Sequence, residues 1–199
     1  MPKDYAQQPL NHIRYTPKIV DDESWIKSFL HQADFGALAT AHGDQPFINS
    51  NLFVYDEDRH CLYLHTAQVG RTRTNIEYNP HVCFNVSVMG RLLPADEALE
   101  FSVEYAGVTV FGKARIVSDP VEAEYGLQAL LDKYAPHLRP GRDYRPITSE
   151  ELARTSVYRI DIDAWSGKRG RAAPNFPGAF LYEAFPTEDN PIVKGGVNE

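Results

Sequence analysis

Residues 63–76, Tyr63-Leu64-His65-Thr66-Ala67-Gln68-Val69-Gly70-Arg71-Thr72-Arg73-Thr74-Asn75-Ile76, read as an apolar strand that ends in a tight turn and opens a helix whose first turn is cationic. A helix N-terminus already carries partial positive charge from its unpaired N–H groups. Arg71 and Arg73 are therefore locally unfavourable there unless an anion lies between them. Gly70 lets the backbone come close. The N–H groups, the Thr72 and Thr74 hydroxyls and the guanidinium forks then make a socket for a phosphate. A solvated basic turn is the alternative reading of the same residues.

Upstream, Phe35-Gly36-Ala37-Leu38-Ala39-Thr40 and the run Phe47 to Tyr55 flank His42-Gly43-Asp44, a hairpin turn. Asp56-Glu57-Asp58 separates the second run from Cys61-Leu62-Tyr63-Leu64-His65. Three strands in succession predict a meander. Asp21 and Asp22 offer an N-cap to a helix running to about His31, with Trp25, Ile26, Phe29 and Leu30 at helical spacing. Downstream, the helix from Gly70 stops before Pro80, and Val82, Phe84, Val86 and Val88 alternate with polar residues as a half-buried strand does. A further run holds Val108, Val110, Gly112, Ala114 and Ile116.

Asp119-Pro120 opens a helix with Ala123, Leu127, Leu130, Leu131 and Tyr134 on one face. An ordered surface loop over Pro136–Pro146, a short helix near Thr148–Arg154 and a last strand through Tyr158, Ile160 and Ile162 follow. Strands far outnumber the crossover helices a parallel sheet requires, so the expected fold is mainly β with flanking α, an antiparallel barrel with helices at its ends. One domain over residues 1–174 is expected, with an extended tail over 175–199.

The chain has 199 residues, 43% hydrophobic and 12% aromatic, enough for a sizeable core. Its formal charge of −7 argues against a general nucleic-acid or anionic-membrane binder, since both need a broad cationic surface. With no apolar run long enough to span a bilayer and no leader pattern, a soluble cytoplasmic protein is expected. Cys61 and Cys83 lie in strand-like runs and read as buried free thiols. The seven histidines lack metal-ligand spacing, so no metal is expected.

Asn49, Ser50 and Asn51 interrupt an otherwise apolar strand, and alternation turns at least one of them toward the core or an interface. There it needs a partner, either a ligand amide or neighbouring backbone. His65, at the end of an apolar strand and beside the cationic turn, is either a satisfied core histidine or a ligand contact.

Phe35 to Thr40, Pro46 to Tyr55, His65-Thr66 followed by Gly70-Arg71, Asn79-Pro80 and Trp165-Ser166-Gly167-Lys168 occur in a characteristic order. On these residues the chain resembles, over about residues 12–172, the pyridoxamine-phosphate-oxidase-like superfamily of FMN-binding split barrels. It resembles especially the branch that contains nitroimidazole-resistance-type proteins.

The resemblance implies that the strand Ile48, Asn49, Ser50, Asn51, Leu52 lies along the flavin ring, with His65 and Thr66 at the ribityl chain or ring edge. Gly70, Arg71 and Thr72 would hold the FMN phosphate. Oxidases of the superfamily carry a basic pair at that point; here its second member is Thr72, so charge neutralisation would pass to Arg73 or Lys168. Trp165 and Lys168 would reach the flavin from the other subunit of a two-fold homodimer. Taken alone, Trp165 reads as core.

True pyridoxamine-phosphate oxidases place a Lys near the position of Phe53 and an Arg and a His near the C-terminus. Arg171-Ala172-Ala173 keeps the Arg and lacks the His, which argues against vitamin B6 chemistry. Phe53, Phe101, Tyr105 and Trp165 suggest an aromatic pocket for a planar or nitro-type small-molecule substrate. The expectation is an FMN-dependent oxidoreductase with His65 as catalytic proton donor or substrate orienter. The alternatives are a flavin carrier or sensor without turnover, and a split barrel holding haem or a deazaflavin.

Overall fold

The computed structural model describes residues 4–182. The strands and helices follow in order as β1 (Ile19–Val20), α1 (Glu23–Gln32), β2 (Gly36–His42), β3 (Gln45–Asn51), β4 (Val54–Asp56), β5 (Cys61–Ala67), α2 (Arg71–Tyr78), β6 (His81–Leu93), β7 (Ser102–Ile116), α3 (Pro120–Tyr134), α4 (Ser149–Leu152), β8 (Thr155–Gly170) and β9 (Phe180–Leu181). Asp22 caps α1 through the amides of Ser24 and Trp25, and Asp119 caps α3 through Val121. Thr148 and Glu151 close a capping box on α4. The part of the expected tail over 183–199 lies outside the described residues.

Contacts divide the chain into two compact units, Met1–Ser87 with Gly107–Lys168, and Val88–Ala106 with the chain from Arg169. In the second unit Arg91 makes a two-pronged ion pair with Glu104, both bonds at 2.8 Å, and Glu104 also accepts from the Ala172 amide. Arg91 and that amide hold the Glu104 carboxyl down to about 2. β9 pairs with β6 at Arg91↔Leu181 and Leu92↔Phe180.

The first unit carries the path β3-β2-β6-β7-β8-β5-β4. The expected meander does not form: β2 and β3 make one hairpin, β4 and β5 another, and the two sit at opposite ends of that path. Gly43, at φ 57°, supplies the positive φ that the two-residue turn of the first hairpin needs. Only Leu52 and Phe53 join β3 to β4. Three Cα steps reach at most about 11 Å, whereas six inter-strand gaps laid flat span roughly 29 Å. The sheet of this unit must therefore roll until the end of β3 and the start of β4 come within that reach, without the two end strands pairing.

Phe53 breaks the run that the sequence presents as one strand. Its N–H donates to the Tyr134 hydroxyl at 3.1 Å, its carbonyl accepts from Lys133 Nζ at 3.0 Å, and its ring is fully buried against Phe84. Tyr134 donates in turn to the Asp34 carbonyl, and Lys133 to that of Ala33. Burial pulls the Lys133 ammonium down to about 8. α3 thus satisfies the backbone that no strand can pair.

Inside the roll lie Leu38, Leu62, Leu64, Phe84, Val108, Val110, Tyr158 and Ile160, closed at one end by Ile26 and Leu30 of α1. On the other face of β5, Cys61 and Tyr63 pack with Val157 and Ala123 beneath α3. Gly126 lets that helix descend, since a Cβ there would stand 2.9 Å from the Tyr63 ring. Both cysteines are free, and burial pushes the Cys61 thiol up to about 11. Among the described residues, no helix is long and apolar enough to cross a membrane.

Tyr134→Phe removes the acceptor of the Phe53 N–H and the donor to Asp34, and should cost about 1–3 kcal/mol of stability in urea unfolding. An unchanged midpoint would show that the join does not depend on α3.

Candidate functional site

The cationic corner takes the predicted form. α2 begins at Arg71 with Gly70 as N-cap, and no side chain caps it. The first helical bond runs from Thr74 N to Gly70 O at 3.2 Å, so the N–H groups of Arg71, Thr72 and Arg73 have no acceptor within the helix. Arg71 is exposed and makes no hydrogen bond or ion pair among the described residues.

Two members of the expected socket face elsewhere. The Thr74 hydroxyl donates back to the Gly70 carbonyl at 3.3 Å. Arg73 is committed to Glu77 at 2.8 Å and to Gln68 and Ser156, both at 2.9 Å. Its charge is matched by Glu77, which leaves Arg71 as the cation available to an anion at this corner.

β3 meets the corner from the side. Its alternation is inverted relative to an ordinary sheet edge: Phe47, Asn49 and Asn51 are half-buried, while Ile48, Ser50 and Leu52 are exposed. Asn49 Nδ2 donates to the buried Thr72 hydroxyl at 3.3 Å, tying the polar strand to the first turn of α2. Asn75, one turn further along α2, is fully buried and donates to Thr40 of β2 at 2.9 Å. The Oδ1 atoms of Asn51 and Asn75 are buried without a protein partner. Buried carbonyl oxygens without a partner are uncommon in folded proteins, and two of them belong to the strand and the helix that form this corner. Among the described residues, β3 pairs only with β2 and its outer edge stays open.

Thr66 is less available than expected, because its hydroxyl lies 2.9 Å from that of the buried Tyr158 and donates to Ala67 O. His65 lines a cleft of about 440 Å³ with Leu52 and with Leu127, Leu130 and Leu131 of α3. The ring keeps a face to solvent, yet desolvation by its apolar surroundings lowers its pKa below the ordinary 6.5. Tyr144 and Arg145 of the ordered 136–148 segment line the same cleft.

Trp165 and Lys168 are not brought to the corner within one chain. His65 pairs with Val157 on β8, and the strand from Val157 to Trp165 runs roughly 26 Å. Trp165 instead sits by His60 and Tyr55, and Lys168 pairs with Ile19 of β1. Of the aromatic residues expected around a pocket, Phe53 is wholly buried core, and Phe101 and Tyr105 belong to the second unit.

The sequence reading assigns Asn75 no role, and it leaves open whether the loop Arg139–Arg145, which brings Tyr144 and Arg145 to the cleft, gates a pocket or only covers the barrel. The one signal for the cleft was the apolar stripe of α3, broader than contact with a single sheet requires.

Because His65 is held below its ordinary pKa, the unfolded imidazole takes its proton first as pH falls. The stability tied to the neutral ring is present above 6.5 and lost beneath it as the pH drops through the folded pKa. A proton NMR titration should give His65 a midpoint below 6.5, and a midpoint at or above that value would contradict the desolvated cleft. Arg71→Ala should leave stability within about 0.5 kcal/mol, whereas Arg73→Ala should cost about 1–2 kcal/mol through its three lost partners. Equal costs would contradict the division of labour between the two.

A family model described as pyridoxamine 5′-phosphate oxidase matches residues 22–169. Three solved structures share the fold at low identity. The flavocytochrome Anf3 from Azotobacter vinelandii is 23% identical with a TM-score of 0.72, the match covering 91% of this chain and 88% of that one. An FAD and heme binding protein from Mycobacterium smegmatis is 22% identical with a TM-score of 0.69, covering 90% and 80%. A putative 5-nitroimidazole antibiotic resistance protein from Bacteroides thetaiotaomicron is 20% identical with a TM-score of 0.63, covering 76% and 86%. No curated protein sequence matches the chain. With the family model extending from the cap of α1 to the end of β8, and with this split-barrel topology, the chain belongs to the pyridoxamine 5′-phosphate oxidase-like family.

Proposed function

We propose that this chain is a homodimeric flavoprotein that binds FMN noncovalently and passes hydride or electrons to a small aromatic or nitro-type acceptor, taking them from a nicotinamide or another reductant. The observation that carries this reading is the uncapped, Arg71-bearing start of α2, tied through Asn49 and Thr72 to the open edge of β3. FMN would supply the two-electron chemistry. Arg71 and the free N–H groups of α2 would hold its dianionic phosphate. The open backbone edge of β3, over Ile48–Asn51, offers hydrogen-bonding groups to a heteroaromatic ring. His65, largely neutral at pH 7, would donate or accept a proton through a ring nitrogen or orient the acceptor at the cleft.

Exposed apolar side chains around the corner, Ile48 at 67% and Val69 at 91%, support a subunit contact there. Two-fold symmetry would let Trp165 and Lys168 of a second copy complete the site, in keeping with their distance from His65 along β8.

A second reading keeps the barrel as a flavin carrier or sensor, or gives it haem or a deazaflavin. It is favoured by the names of two similar structures, a flavocytochrome and an FAD and heme binding protein. The absorption spectrum of the purified protein separates the cofactors, and oxidation of a reduced nicotinamide beyond the rate of free FMN separates enzyme from carrier.

Arg71→Ala should weaken FMN binding by about 10- to 100-fold, the worth of a charge-assisted phosphate contact. Riboflavin, which lacks the phosphate, should bind the variant and the parent alike. Equal loss for both ligands, or no loss for FMN, would remove the socket.

A further inference from the structure

We propose that the cleft formed by α3, the 136–148 segment and the end of β5 takes an uncharged, mostly apolar small molecule with a hydrogen-bond acceptor, and rejects anions. As the acceptor seat of a flavoprotein the cleft rests on the reading above, while as a ligand site it stands on its own walls. Its volume of about 440 Å³ falls within the usual range of roughly 300–1,000 Å³ for small-molecule sites. Leu52, Leu127, Leu130, Leu131 and Ile147 make it chiefly apolar, and Leu52 and Leu131 are 51% and 37% exposed into it or beside it.

The charges in the cleft cancel. Arg145 would attract an anion, but its Nη2 is paired with Glu151 Oε1 at 2.8 Å and its Nη1 donates to the Pro146 carbonyl. Glu151 is fixed in turn, because its Oε2 accepts the Thr148 amide in the capping box of α4. The pair is more than half exposed, so it offsets the Arg145 charge without locking it, and a carboxylate or phosphate would gain little there while giving up hydration against the leucine walls. A cation meets the same compensation from Arg145.

The polar groups left over suit a carbonyl or a nitro oxygen. The Tyr134 hydroxyl is occupied by Phe53 and Asp34. The Tyr144 hydroxyl accepts from Gln128 Nε2 at 2.9 Å and keeps its own O–H to donate. His65 offers a neutral imidazole on the same surface.

The test is calorimetric titration of the purified protein with 2-naphthamide and 2-naphthoate, which share a ring and a carbonyl and differ in charge. The amide should bind at least about tenfold tighter than the acid. Glu151→Gln keeps the capping geometry and releases Arg145, so it should tighten the acid about tenfold and leave the amide within about twofold. Leu131→Trp, at a partly exposed position, should fill the cleft and abolish both. Absence of amide binding, equal affinities in the parent protein, or an amide affinity untouched by Leu131→Trp would each overturn the proposal. Titrations run with and without added FMN keep the two readings apart: a protein that ignores FMN yet prefers the amide refutes the flavin and retains the cleft.

Discussion

The first unit is governed by a join of two residues. β3 and β4 lie at opposite ends of a seven-strand path, and Leu52-Phe53 must carry the chain between them. A flat sheet cannot satisfy that reach, so closure follows from chain connectivity before any side chain is considered. Closure leaves the Phe53 backbone out of every ladder, and α3 supplies what the ladder cannot through Tyr134 and Lys133. One helix end thereby holds the seam, the carbonyl of Asp34 and the carbonyl of Ala33 together.

The candidate site inherits its form from this seam. β3 is left with an open outer edge, and its inward face carries asparagines where an ordinary strand would carry aliphatics. Asn49 reaches Thr72, and Asn75 reaches Thr40, so the polar strand and the cationic helix start are braced as one piece. Beyond the same seam Leu52 looks into the cleft that His65 and α3 share. The uncapped, cationic helix start and an apolar cleft thus adjoin one short stretch of chain.

The placement of charge shows how a fold selects among residues of the same type. Arg71 and Arg73 are two positions apart on one helical turn, yet Arg73 is neutralised by Glu77 and anchored to Ser156 while Arg71 faces solvent. Arg145 is similarly cancelled by Glu151. A local count of cations overstates what an anion would find, because the neighbouring carboxylates of Glu77 and Glu151 offset part of it.

Local patterns in the sequence determined the elements themselves. Asp22 before Trp25 and Ile26, Gly43-Asp44 between two alternating runs, Asp119-Pro120 before an apolar stripe and Gly70-Arg71 after Leu64 are signals of capping and turn chemistry that act within a few residues. The strand-to-helix corner and the inward turn of part of Asn49–Asn51 were legible for the same reason. Tertiary structure alone decided the break at Phe53, the separation of the two hairpins, the partners that engage Arg73 and Thr74, and the remoteness of Trp165 from His65. Each of these depends on partners distant in sequence, such as Tyr134 for Phe53 and Ser156 for Arg73. Hydrogen bonds and packing between such partners leave no periodicity in a single chain from which they could be read.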